Sequence, residues 1–210
     1  MIPQKILYPA LGLAVLLALL LSGIAPYDRA TWLLEVAPVL IAAPLLILSH
    51  RRFPLTQLLY ILIAAHALVL ILGGAYTYAR VPLGFWVEDF FELGRNPYDK
   101  LGHFMQGFVP ALIAREILVR GNYLANGRML AFLSLCVALA ISAFYELLEW
   151  WVALLAGQGA VEFLGTQGDP WDTQSDMLMA LIGASLALAW LSRLQDRQIA
   201  TLAQRSNGHP

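Results

Sequence analysis

Six apolar runs, each close to 20 residues long, follow one another along this 210-residue chain, and they leave little choice of fold. A helix rising about 1.5 Å per residue needs about 20 residues to cross about 30 Å of hydrocarbon. The runs lie near residues 6–25, 32–49, 55–76, 99–119, 129–156 and 173–193. In hydrocarbon every backbone N–H and C=O must find its partner inside the segment, so runs of this kind form helices. The reading is an all-α, polytopic membrane helix bundle of about six transmembrane helices, a single domain over residues 1–195. A polar tail at 196–210 is expected to fray. Only 13% of the residues are charged, against about 25% in an ordinary soluble domain, so a soluble core is excluded.

The punctuation between runs agrees with these boundaries. Pro26-Tyr27-Asp28-Arg29 separates the first two spans, His50-Arg51-Arg52-Phe53-Pro54 makes a tight basic turn, and Gly121-Asn122 with Asn126-Gly127 marks the fourth connection. The first run exceeds the 7–15 apolar residues of a secretory signal, so it is read as a span. Residues 78–98 alternate aromatics with charge, as in Phe85, Trp86, Glu88, Asp89, Phe90, Phe91 and Glu92, which suits an interfacial segment over the outer end of the bundle. The single cysteine, Cys136, allows no disulfide within one chain. A net charge of -1 with no basic block argues against nucleic acid, and membrane lipid is the expected surrounding.

Lys and Arg set the expected orientation. With both termini cytoplasmic, Lys5, Arg51, Arg52, Arg115, Arg120, Arg128, Arg193, Arg197 and Arg205 lie inside, and Arg29, Arg80, Arg95 and Lys100 lie outside. The same arrangement leaves only Glu116 and Asp196 among the carboxylates at the inner end.

Charged groups inside spans are costly and usually face the bundle interior. Asp99, His103, Gln106 and Pro110 share one face of the fourth helix, and Ser142, Glu146 and Glu149 share one face of the fifth. Asp172 and Asp176 open the sixth helix four residues apart, and Glu35 lies near the outer end of the second. His103 and Asp176 each lie 17 residues from an inner arginine, Arg120 and Arg193, or about 25 Å. Glu146 lies 18 residues from Arg128, about 27 Å, and Glu35 lies 16 from Arg51, about 24 Å. Four helices therefore bring polar groups to one depth, with Asp99, Glu149 and Asp172 one turn above. Each has a plainer reading. Asp99 and Asp172 suit helix caps, Thr173 with Asp176 resembles a capping box, and His66 alone on the third helix suits a structural hydrogen bond. Glu146 and Glu149 are harder to explain structurally, because two ionised glutamates one turn apart repel unless a cation, a proton or a basic partner such as Lys100 or Arg95 joins them.

Three segments together resemble the YjdF-type bacterial inner-membrane family: residues 96–104 (NPYDKLGHF), 145–150 (YELLEW) and 168–177 (GDPWDTQSDM). The resemblance covers most of the chain and implies a multi-pass protein of the bacterial inner membrane, without naming a reaction. More loosely, Asp99-Lys100 with His103, Glu146, Asp172 and Asp176 is similar to VanZ-like membrane proteins.

The leading expectation is a metal-dependent membrane enzyme, a hydrolase or transferase acting on a lipid or lipid-linked substrate at the outer face. Asp99, His103, Glu146, Glu149, Asp172 and Asp176 form a mixed oxygen and imidazole donor set suited to Mg²⁺, Mn²⁺ or Zn²⁺, with Glu146, Glu149 and His103 as candidate catalytic groups. The alternatives are a structural or signalling protein, in which the acidic layer is a fixed ion or hydrogen-bond staple, and a proton- or cation-coupled transporter. Transport calls for polar groups at successive depths, and the inner halves of the spans offer little beyond Ser134.

Overall fold

The computed structural model describes residues 4–156 and 161–207, and these are helical apart from turns and connections. The helices are α1 (Gln4–Ile24), α2 (Arg29–Ser49), α3 (Gln57–Ala75), α4 (Pro82–Phe91), α5 (Tyr98–Arg120), α6 (Arg128–Ala156), α7 (Val161–Leu164) and α8 (Asp172–Asn207). Among the described residues, α1, α2, α3, α6 and α8 are long and apolar enough to cross a membrane. Helix α5 has the length, 23 residues, but carries Asp99, Lys100, Arg115, Glu116 and Arg120. It packs chiefly against α8 and also against α6 and α3, so its charged groups face protein rather than lipid. Both of its ends meet α8, which makes it the sixth member of the bundle.

Small residues bring α5 and α8 together. A Cβ placed on Gly107 would collide with the carbonyl of Ala180, and one on Gly183 with the carbonyl of Phe104. Ala111, Ala180, Ala184 and Ala187 continue the seam fully buried. Between helices in lipid, such close backbone approach supplies the dispersion contacts that a hydrophobic effect does not. The outside of the bundle is apolar, as lipid requires: Leu13, Leu17, Leu21, Leu45, Ile47 and Leu48 are all at least half exposed. Helix α1 buries no residue and packs mainly on α3, with the Trp32 indole of α2 donating to Ser22 at 3.0 Å.

One end of the bundle is basic and holds a dense polar network. The Glu116 carboxylate of α5, fully buried, accepts from the Thr56 amide at 2.9 Å, the Thr56 hydroxyl at 2.7 Å and Arg120 at 2.8 Å. Thr56 is the N-cap of α3, and the amide of Leu58 is bonded to Gln198 at 2.9 Å. Two backbone N–H groups at the start of α3, those of Thr56 and Leu58, are thus satisfied by side chains of α5 and α8. Gln195, also fully buried, donates to the Leu112 carbonyl at 2.8 Å and accepts from Arg115, which in turn binds Asp196 at 2.7 Å.

This network reaches into the segment expected as a polar tail, of which residues 208–210 lie outside the described residues. Residues 196–207 continue α8, whose 36 residues give a length of about 54 Å, well beyond the hydrocarbon. Gln195, Asp196 and Gln198 look like tail by composition, yet each is bonded to α5 or α3.

Segment 78–98 is also less uniform than expected. Its middle, α4, turns Trp86, Phe90 and Phe91 outward, whereas Tyr78 and Asn96 at its two ends are 6% and 1% exposed. Thr77 and Tyr78 are both left-handed, and the Tyr78 ring lies over Gly73 and Gly102, where any side chain would meet it. Across the α1–α2 connection, Asp28 caps α2 by accepting from the Thr31 amide at 2.7 Å, a bond that holds its carboxyl below the usual range.

Candidate functional site

The other end of the bundle gathers the acidic layer. His103 of α5 is at its centre, 6% exposed, with Glu146 (7%) on α6 and Asp176 (2%) on α8 facing it. Its two ring nitrogens look in different directions. Nε2 lies 3.4 Å from Asp99 and 3.9 Å from Asp176, while Nδ1 lies 3.7 Å from Glu146 and 3.1 Å from the Gln106 side-chain oxygen. Two sets of three donors result, Asp99 with His103 and Asp176, and His103 with Glu146 and Glu149, each with ligand atoms within 4.8 Å of one another. The residues expected at one depth therefore converge in space.

The two sets differ in their cations. Lys100 Nζ is 2.7 Å from both Asp172 and Asp176 and 2.6 Å from the Ser175 hydroxyl. Arg95 reaches the same Asp172 oxygen at 2.6 Å and Asp169 at 3.3 Å. Burial works against the Arg95 charge, but the Asp172 carboxylate outweighs it and raises the guanidinium above its already high ordinary value. The aspartate side of His103 is thus matched by two basic side chains. On the glutamate side, Glu146 Oε1 is buried with no hydrogen-bond partner among the described residues, and so is Ser142 Oγ one turn away on the same face. A buried carboxylate oxygen without a partner is costly.

A small pocket opens beside this glutamate side, lined by Glu35, Tyr78, Asp99, His103, Tyr145, Glu149 and Phe163 among others. Its free space of about 20 Å³ suits one ion or water rather than an organic substrate. Glu35, 6% exposed on α2, accepts from the Tyr145 hydroxyl at 3.4 Å and so belongs to the layer.

The loops over the site are clasped. Asn96 is bonded through its amide and carbonyl to the Gln167 side chain, at 3.0 Å each, and its own side chain joins the Val81 carbonyl to the Tyr98 amide. Gly84 leaves the space that the Asn96 side chain fills. This clasp fixes Arg95 above Asp172 and starts α5 so that Asp99 faces inward. Neither Asn96 nor Gln167 carries a periodic signal, since they are 71 residues apart and lie in loops. His66, expected to make a structural hydrogen bond, has its Nε2 buried without a partner among the described residues.

Comparison with known proteins adds the lineage. A family model described as "Predicted membrane protein (DUF2238)" matches residues 8–197. The chain belongs to this family. It is also 60% identical over 188 residues, 90% of each chain, to the inner membrane protein YjdF of Escherichia coli (strain K12). No solved structure matches. The family match takes in the acidic layer, the Asn96–Gln167 clasp and the Glu116 network, so all three lie within the DUF2238 region.

Proposed function

We propose that this chain is a multi-pass inner-membrane protein whose glutamate side binds a divalent cation, and that the bound cation serves hydrolysis or group transfer on a lipid or lipid-linked substrate at the outer face. The carrying observation is the buried, unpartnered Glu146 oxygen beside Glu149 and His103. Six carboxylates (Glu35, Asp99, Glu146, Glu149, Asp172 and Asp176) share the layer with two basic side chains, Arg95 and Lys100. In a low-dielectric setting that excess of negative charge calls for a cation.

Neutral imidazole has one acceptor nitrogen, so His103 ligates on one side only. Ligation through Nδ1 leaves the Nε2 proton for Asp99, a carboxylate that then holds the ring in the right tautomer. A divalent ion held there would polarise a phosphoryl or carbonyl oxygen and acidify bound water. Glu149, which lines the pocket, is placed to take that proton, while Lys100 and Arg95 keep Asp172 and Asp176 out of the ligand set. Mg²⁺, Mn²⁺ and Zn²⁺ all suit such mixed donors.

Thermal unfolding of the purified protein in detergent tests the binding. Divalent metal at a hundred times its dissociation constant adds about 2.7 kcal/mol of stability, and chelation removes it. Glu146→Gln should fold and lose most of that shift. Metal-dependent turnover of a lipid-linked phosphate in proteoliposomes, absent from Glu146→Gln, would extend the reading from binding to catalysis. A second reading is supported by Lys100, which bridges Asp172, Ser175 and Asp176: the layer is then a fixed staple between α5 and α8. That reading stands instead if wild type shows no metal shift while Lys100→Met lowers the melting temperature.

The orientation proposed with this function puts both termini and the Arg51-Arg52 turn in the cytoplasm. With Cys136→Ser as background, a cysteine at residue 51 should resist an impermeant thiol reagent in whole cells, and one at residue 89 on α4 should react. Labelling at residue 51 would turn the acidic layer to the cytoplasmic side and remove the outer-face substrate.

A further inference from the structure

The basic end carries a second cavity, unconnected with the metal reading. It is an open cleft between the start of α1, the α2–α3 turn, the end of α5 and the extension of α8, with a volume of about 690 Å³. Small-molecule sites commonly span about 300–1,000 Å³. Lys5, Tyr8, His50, Arg51, Arg52 and Arg120 are in its wall, and among the described residues no carboxylate is.

The basic residues are not equivalent. Arg120 is engaged, with Glu116 at 2.8 Å, the Pro54 carbonyl at 2.6 Å and the Phe53 ring 3.9 Å beneath its guanidinium. Lys5, Arg51 and Arg52 are exposed and form no ion pair among the described residues. His50 is held in place by the Tyr60 hydroxyl at 2.6 Å, and the Tyr8 and Tyr60 rings pack 4.4 Å apart, so one wall is rigid and polar. Three cations without an ion pair among the described residues line a space large enough for a phosphate and its substituent. Arg presents paired N–H donors to phosphate oxygens, and Lys adds a point charge.

What borders the cavity identifies the occupant. Ile6 and Leu13 of α1, and Leu45, Ile47 and Leu48 of α2, are 56% to 75% exposed, and the start of α1 and the end of α2 are the parts of these two helices that reach the cavity wall. A free anion would use the cations alone, whereas a phospholipid uses both features, its head group in the basic cavity and its acyl chains on this apolar face. Basic pockets between membrane helices recognise anionic head groups by this combination. We propose that the cavity binds the head group of an anionic phospholipid, with Lys5, Arg51 and Arg52 as its phosphate contacts.

Purified protein in detergent is titrated with phosphatidylglycerol, cardiolipin, phosphatidylcholine or inorganic phosphate, and followed by native mass spectrometry and thermal unfolding. The anionic lipids should be retained at least tenfold more tightly than phosphatidylcholine and should raise the melting temperature, and phosphate alone should do neither. The Arg51→Gln, Arg52→Gln double variant should melt like wild type in phosphatidylcholine and lose most of the preference. If the double variant does not fold, Lys5→Gln alone, at the exposed start of α1, should weaken the preference several-fold. Equal retention of anionic and zwitterionic lipid, an unchanged preference in the variants, or protection by phosphate alone equal to that by lipid would each overturn the proposal.

Discussion

Gly183→Leu should abolish the folded bundle, leaving little monodisperse protein after extraction, while Gly12→Leu should leave yield and melting temperature near wild type. The contrast comes from what each new side chain meets. At Gly183 the first added carbon runs into the carbonyl of Phe104, and the next nearest atoms, at 3.0 and 3.1 Å, are also backbone. Overpacking a core costs about 1–3 kcal/mol when neighbouring side chains can shift, but backbone within a helix cannot shift alone. The two helices have to separate, and their separation opens the Ala180–Ala184–Ala187 seam and draws Asp176 away from His103. At Gly12, on the lipid-facing α1, a Cβ has no atom within 4 Å. Size-exclusion chromatography of the two variants, prepared side by side, checks this. A Gly183→Leu protein that elutes and melts as wild type does would show that the α5–α8 contact is not what holds the bundle together.

The architecture was legible because lipid simplifies the code: a span must be helical and about 20 residues long, so the six apolar runs read as helices, and five of those helices are long and apolar enough to cross. The acidic layer was legible for a related reason. Polar groups are costly in spans, so Glu35, His103, Glu146 and Asp176 stood out, and counting residues from the inner arginines placed them at one height, with Asp99 one turn above. Counting could not say which carboxylate each cation would meet. Lys100 follows Asp99 directly, yet its long stem carries the ammonium across to Asp172 and Asp176, and that choice depends on how α5 rotates against α8. The continuation of α8 was hidden by composition, because Gln195, Asp196 and Gln198 read as solvent-exposed polar residues. The available signal was their spacing from Leu188 and Leu191, which extends one helical face past residue 193. The Asn96–Gln167 clasp had no signal at all, since side chains bonding to loop backbone follow no period.

Glu116→Ala should be the most destabilising replacement of a charged residue in this chain. The carboxylate is fully buried and serves the Thr56 amide, the Thr56 hydroxyl, Arg120 and Gln195 at once. Truncation leaves two donors at the N-cap of α3 without an acceptor and removes the carboxylate partner of Arg120. Removing one member of a buried ion pair costs about 3–5 kcal/mol, because the group left behind stays desolvated. For a chain of this size each kcal/mol moves the melting temperature by about 2–4 °C, so a drop of about 10 °C is expected. Arg120 keeps its bond to the Pro54 carbonyl and its stacking on Phe53, so Arg120→Ala should cost less, and the double variant should cost less than the sum of the two. Glu116→Gln retains one acceptor oxygen and should fall between wild type and Glu116→Ala. Thermal unfolding of the four proteins in one detergent measures these differences. Additive losses, or a Glu116→Ala protein as stable as wild type, would mean that the α3 N-terminus is held by packing of Leu55 and Leu59 on Leu112 and Ala187 rather than by the buried carboxylate.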